Sequence, residues 1–148
     1  MIDVAFGHWL AGFIDGEGCF YITTNANQPG WCRPKFALGL RCDDRPVIES
    51  IRRTLGGLGT IHEYEPKSTS KRKVHWTISS QTDCEALCVL LDAYPLRSKK
   101  QKDYAIWSKA VIAAAGLRRG SGTGASNAKI YAAIERCRDE IAEVRTYE

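Results

Sequence analysis

Leu10-Ala11-Gly12-Phe13-Ile14-Asp15-Gly16-Glu17-Gly18 is the stretch from which the rest of the chain can be read. It begins apolar and ends with two acids alternating with glycines. Cys19-Phe20-Tyr21-Ile22-Thr23-Thr24 follows with strand character. The run therefore reads as a helix passing into a sheet, with Asp15 and Glu17 at the junction. A helix C-terminus leaves its last carbonyls without intrahelical partners and carries a partial negative charge. Carboxylate and carbonyl together form a hard oxygen donor set suited to Mg²⁺. A plainer reading gives the glycines packing and turn roles and leaves both acids solvated at an ordinary helix end.

Working outward, Asp3 is placed to cap a first helix running to about Asp15, with Phe6, Trp9, Leu10 and Phe13 as its apolar face. Strands are predicted at about Cys19 to Asn25 and Cys32 to Cys42, joined by the turn-forming run Asn25-Ala26-Asn27-Gln28-Pro29-Gly30. Asp43 or Asp44 is expected to cap a helix with Pro46 in its first turn, and Gly56-Gly57 to end it. Two further strands are expected, at about Gly59 to Tyr64 and Val74 to Ser80, around the basic tip Lys67 to Lys73. Thr82 or Asp83 then caps a helix carrying Leu87, Leu90 and Leu91. Residues 99 to 115 read as another helix, 117 to 126 as a flexible Gly/Ser-rich loop, and 127 to 145 as a last amphipathic helix. The fold class is α+β, with helix, strand, strand, helix, strand, strand, helix in one domain over residues 1–148.

The two hairpins can join into one four-stranded antiparallel sheet. Phe20, Ile22, Phe36, Leu38, Leu40, Val74, Trp76 and Ile78 would face the helices. Tyr21, Thr23, Asn25, Arg33, Lys35, Arg41, His75 and Thr77 would face away, joined by His62, Tyr64 and Lys73. This polar, cationic face is either an ordinary solvated surface or one that reads base edges in a DNA major groove. A ten-residue strand spans about 33 Å, on the order of ten base pairs, so two copies would read about twenty.

The nine-residue run resembles the signature of the LAGLIDADG homing endonucleases. Phe13 replaces Leu, Gly16 replaces Ala, and Glu17 replaces the second Asp while keeping a carboxylate. The likeness extends over roughly residues 6 to 112, where the order of elements matches the αββαββα core of that family. It implies an intron-homing enzyme that hydrolyses both strands of a long pseudo-palindromic double-stranded DNA site and leaves short 3′ overhangs. It also implies Mg²⁺ as cofactor, with Mn²⁺ as a substitute.

One motif per chain implies a homodimer in which two copies of the first helix pack at a two-fold axis through His8, Ala11 and Gly12. Gly12 has an alternative role, packing against its own sheet. Glu17 takes the metal-ligand position, with the Gly16 carbonyl beside it. Asp15 takes the other acidic position, or closes the helix end by local hydrogen bonding. The segment Tyr94 to Tyr104 resembles the family's basic segment, from which Lys99 or Lys100 would enter the active site. Arg41 and Arg45 match a polar pair near it, with Asp44 in play if the register shifts by one. Each of these cations also has a simpler role as a phosphate contact.

The chain has 148 residues, a net charge of +4 and a pI near 8.8, a mild basic excess compatible with nucleic acid. No signal peptide or membrane-spanning stretch is read, so the expected location is intracellular and no membrane partner is expected. Six cysteines form no zinc-ribbon spacing and read as small buried hydrophobes in a reducing compartment. Two alternatives stand beside the nuclease: an RNA-binding intron maturase on the same scaffold, and a regulator-like DNA binder. The intact Asp15 and Glu17 favour cleavage over either.

Overall fold

The computed structural model describes residues 2–67, 71–117 and 124–146, with 124–126 as backbone alone. Among these residues the elements run α1 (Val4–Glu17), β1 (Gly18–Thr24), β2 (Cys32–Arg41), α2 (Arg45–Thr54), β3 (Thr60–Tyr64), β4 (Lys73–Ile78), α3 (Gln81–Ala93), α4 (Lys100–Ala114) and α5 (Gly124–Val144). The strands form one antiparallel sheet in the order β1-β2-β4-β3. Tip residues Ser68, Thr69 and Ser70 lie outside the described residues, as does most of the loop expected at 117–126. The last helix begins at Gly124, three residues before the expected start.

Asp3 caps α1, its Oδ1 accepting from the Ala5 and Phe6 amides at 2.6 and 3.3 Å. The helix buries a face that only partly matches the one its aromatics suggest. Gly7, Leu10, Ala11 and Ile14 point inward, while Phe6 and Phe13 are half-buried and Trp9 is 47% exposed. The reason is close approach. A Cβ on Gly7 would lie 2.5 Å from the Tyr94 ring, so the small residues take the contact side. Phe6, Trp9 and Phe13 instead stack along the flank, with centroids 5.7 and 5.2 Å apart.

α1 continues two residues beyond Asp15 and enters β1 without a loop. The Gly18 amide still donates to the Ile14 carbonyl. A Cβ on Gly18 would meet Phe36 at 2.8 Å and Ile14 at 2.9 Å, so glycine is required where helix and sheet meet. Asp15 and Glu17 therefore both lie in the last turn of α1.

The sheet alternates as expected. Phe20, Ile22, Phe36, Leu38, Val74, Trp76 and Ile78 are buried on one face with Leu10, Ile14, Ile51, Leu87, Leu91 and Trp107. Leu40, near the end of β2, is only partly buried. Phe20 lies 5.0 Å from Phe36 and 5.2 Å from Trp107, centroid to centroid, which joins the sheet to α4. α5 packs against α4, β1 and β2. Arg145, just past it, donates to Asp103 at 2.8 Å and to the Phe20 carbonyl.

Two helix starts differ from expectation. A 3₁₀ turn, Cys42–Asp44, precedes α2, and Asp44 at the cap position makes no side-chain capping bond. α3 is capped two or three residues earlier, by Ser80, whose Oγ accepts from the Asp83 amide at 3.1 Å. Asp83 is then free to accept from the Gly59 amide at 3.2 Å, tying α3 to the start of β3. The six cysteines are free thiols. Burial pushes Cys84 up to about 12, so it stays protonated and packs as a small apolar group. Among the described residues, no helix is long and apolar enough to cross a membrane.

Candidate metal centre and nucleic-acid interface

The two acids of the last turn of α1 have different surroundings. Asp15 is half-buried. Its Oδ2 accepts from the Arg97 amide at 2.8 Å, and its Oδ1 from the Ser98 amide at 3.2 Å and the Ser98 hydroxyl at 2.6 Å. It therefore anchors the segment between α3 and α4, which is the hydrogen-bonding role taken across the fold instead of within its own helix. Glu17 is exposed, and nothing among the described residues hydrogen-bonds or ion-pairs its carboxylate. Gly16, also exposed, lies in the same turn, where carbonyls run out of intrahelical partners.

Of the two candidate lysines, Lys100 is the one brought onto α1. Its Nζ donates to the carbonyls of Ile14 at 3.2 Å and Asp15 at 2.9 Å. The ammonium offsets the negative end of the helix dipole beside Glu17. Lys99 is exposed at the cap position of α4. Ser98 was missed in the sequence. Its Oγ donates to Asp15 and accepts from the Lys100 amide at 3.1 Å, so one hydroxyl joins acid to lysine. Its only signal was a cap-type residue just ahead of a basic helix start.

The arginines separate. Arg41 lies three residues past Leu38, the partner of Gly18, at the sheet end that holds the α1 terminus, and pairs with Asp43 at 3.2 Å. Arg45, expected beside it, is drawn elsewhere, to Glu49 at 2.6 Å and Glu63 at 2.7 Å. Glu63 belongs to β3, three strand spacings or about 14 Å from β1. The 3₁₀ turn between β2 and α2 adds backbone that sequence spacing did not show.

The polar face of the sheet carries its expected residues in register. Tyr21 lies opposite Lys35, Thr23 opposite Arg33, Arg41 opposite Lys73, Tyr64 opposite Lys73, and His62 opposite His75, with Thr77 opposite Ala37 and Thr60. Asn25 is the exception. It falls just past β1, and its Oδ1 accepts from the Asn27 amide at 3.0 Å, holding the loop. Gly39 makes room for His75, since a Cβ there would lie 2.9 Å from the ring Nε2. Tyr64 packs edge-on against the same ring at 4.7 Å. Burial, then the Lys73 charge, holds His75 below the usual imidazole range, leaving it neutral near pH 7 with one donor and one acceptor.

On the outer side of α1, His8 and Gly12 are exposed, and a Cβ on Gly12 would meet nothing within 4 Å. Packing of Gly12 against its own sheet is thereby ruled out. Ala11 is only 4% exposed, yet it lines the same concavity of about 650 Å³ as His8, Gly12, Asp15, Pro95, Leu96 and Arg97.

A helix ending in acids at the rim of a cationic four-stranded sheet is the arrangement to set beside known proteins, and sequence comparison places it in a family. The family profile described as LAGLIDADG endonuclease matches residues 10–111. The chain belongs to the LAGLIDADG endonuclease family. A Neurospora crassa protein named probable intron-encoded endonuclease 3 is 33% identical over 108 residues, 70% of this chain and 20% of that protein. The structure of the LAGLIDADG meganuclease I-AabMI bound to uncleaved DNA matches with 33% identity and a TM-score of 0.61, over 72% of this chain and 35% of that one. The homing endonuclease I-GzeII in complex with its DNA target matches with 24% identity and a TM-score of 0.74, over 89% of this chain and 43% of that one. This chain thus spans a fifth of the length of the Neurospora relative and less than half of either structure.

Proposed function

We propose that this chain is a homing endonuclease that cuts both strands of a long, pseudo-palindromic double-stranded DNA site as a homodimer, using Mg²⁺. The observation that carries the reading is the exposed Glu17 carboxylate, which has no partner among the described residues, in a helix end that Lys100 already neutralises. The DNA-bound states named for I-AabMI and I-GzeII support the DNA partner. Nothing in the site favours the RNA-binding or regulator alternatives over cleavage.

The residues present suit a hard divalent ion. They offer one uncommitted carboxylate and the terminal carbonyls of α1, and no group of three or more His, Cys, Asp or Glu side chains among the described residues could hold a metal. A single protein carboxylate, with water and substrate phosphate completing the shell, is how Mg²⁺ is usually held, and the same oxygens accept Mn²⁺. Glu17 and the Gly16 carbonyl would hold it. Bound there, the ion would supply a lowered pKa for water and charge neutralisation at the phosphate. Lys100 places an ammonium where negative charge gathers, and Asp15 positions it through Ser98. β2 has ten residues, about 33 Å, giving about ten base pairs per copy and about twenty per dimer. Short 3′ overhangs are what the family resemblance implies for the two cuts. Incubating the chain with a randomised duplex pool in Mg²⁺ tests the reading, which fails if no sequence is cut.

The dimer is expected to form through α1, because each chain brings one acidic helix end. Gly12→Leu should leave the monomer folded, since the side chain enters open space and leucine favours a helix by roughly 1 kcal/mol over glycine. It should, however, drive two copies of α1 apart. Sedimentation should show dimer for the parent and monomer for the variant, whereas a monomeric, active parent would contradict the assembly.

On the sheet, Arg33→Ala and Lys35→Ala should each weaken DNA binding. A residue that reads a base should relax preference at particular positions by roughly 1–3 kcal/mol. One that touches phosphate should lower affinity evenly and flatten the salt slope by about one unit. Unchanged affinity and site preference in both variants would move the DNA off this face.

A further inference from the structure

Glu63 is the hub of an ion-pair network that the cleavage chemistry does not use. It lies opposite the buried Val74, so it points to the helix-covered side of the sheet, at the edge strand. Its Oε1 accepts from Arg45 at 2.7 Å and its Oε2 from Arg72 at 3.1 Å. Glu49 pairs with Arg45 Nε at 2.6 Å, and Glu65 pairs with the same Arg72 Nη2 that meets Glu63, at 2.9 Å. These two arginines flank the sheet end where Arg41, Lys73 and Tyr64 lie in register. Arg45 also borders a concavity with Glu49, Arg52, Arg53 and His62 along the β3 edge, where arginines outnumber the one acid.

Single exposed ion pairs contribute little to stability, but several charges joined in a network can contribute more, so bracing of the β3 edge is one role open to this arrangement. Its chemistry also fits a second role. A carboxylate bound by two guanidiniums occupies the donors that a phosphate would take, because arginine forks match either anion. We propose that Glu63 is a specificity-determining residue that occupies Arg45 and Arg72 and withholds them from the backbone of arbitrary duplex DNA. Sequence-independent attraction is thereby restrained, and the residues on the polar sheet face decide where the protein stays. The inference rests on the DNA-binding reading above.

The test is the dependence of binding on salt, measured with a short duplex of random sequence. Glu63→Gln frees the donors that the two guanidiniums give to Glu63, while Glu49 still holds Arg45 and Glu65 still holds Arg72, so the slope of log K against log salt should steepen by up to about one to two units, at about 0.9 per added phosphate contact. Glu63→Asp, which keeps the charge, should stay close to the parent. Glu140→Gln, which adds the same charge on exposed α5, should leave the slope unchanged. Removing Arg45 and Arg72 together from the Glu63→Gln protein should restore the parent slope. An unchanged slope in a folded Glu63→Gln protein, or a steepening that survives loss of both arginines, overturns the proposal. If Glu63→Gln does not fold, Arg72→Gln decides the matter: an arginine already withheld can be lost with no change of slope, and a flatter slope refutes the inference. A parent that binds no duplex at all overturns the DNA reading itself, and this proposal with it.

Discussion

Glu17→Gln is expected to abolish cleavage while leaving DNA binding in Ca²⁺ nearly intact. The substitution keeps the shape of the side chain and removes the one carboxylate at the α1 terminus that has no other partner among the described residues. It breaks no hydrogen bond in the fold, so melting temperature should hold. Loss of a carboxylate that would hold the metal removes several kcal/mol of transition-state stabilisation, on the order of a thousandfold or more in rate. Cleavage by the variant in Mg²⁺ within tenfold of the parent would remove Glu17 from the metal site. Asp15→Asn should behave differently. It disturbs three hydrogen bonds that hold the Arg97–Ser98 segment, so stability should fall along with activity.

Lys100→Met should have the second largest effect, lowering the cleavage rate by about a hundredfold to a thousandfold, as removal of a donor aimed at developing charge does elsewhere. The same change takes a cation from the C-terminus of α1, which costs about 0.3–1 kcal/mol of stability. Lys99→Met is the matched control, removing the same charge one residue away and leaving the Lys100 contacts to the Ile14 and Asp15 carbonyls in place. It should cost less than about tenfold, the scale of a single lost phosphate contact. A larger loss in Lys99→Met than in Lys100→Met would transfer the role to Lys99.

Local patterns were legible in the sequence where one residue type carried the meaning. Alternation sorted Phe20, Phe36, Leu38, Val74, Trp76 and Ile78 from Tyr21, Arg33, Lys35 and His75, because strand side chains have a period of two and only one face could be apolar. The acids at the end of α1 were legible through their glycines. The inward face of α1 was read in part: Leu10 is buried and Phe6 and Phe13 pack against the core as expected, but Trp9 is exposed, and Gly7 takes the closest contact, against Tyr94, a residue far along the chain. The true cap of α3 was hidden because Ser80, Thr82 and Asp83 are all good capping residues. The long-range partners of Asp15 and Arg45 could not be read, although Arg45–Glu49 has the four-residue spacing of a helix pair. Ser98 and Glu63 meet them only through tertiary packing, at sequence separations no periodicity encodes.

The account turns on paired cuts made by two acidic helix ends. The most direct measurement is to sequence both ends of every molecule cut from a randomised duplex pool by the parent protein in Mg²⁺. The expected result is a site of about twenty base pairs with imperfect two-fold symmetry, cut once on each strand to leave short 3′ overhangs. Nicks on one strand only, blunt or 5′-overhanging ends, or cutting that persists in EDTA would contradict it.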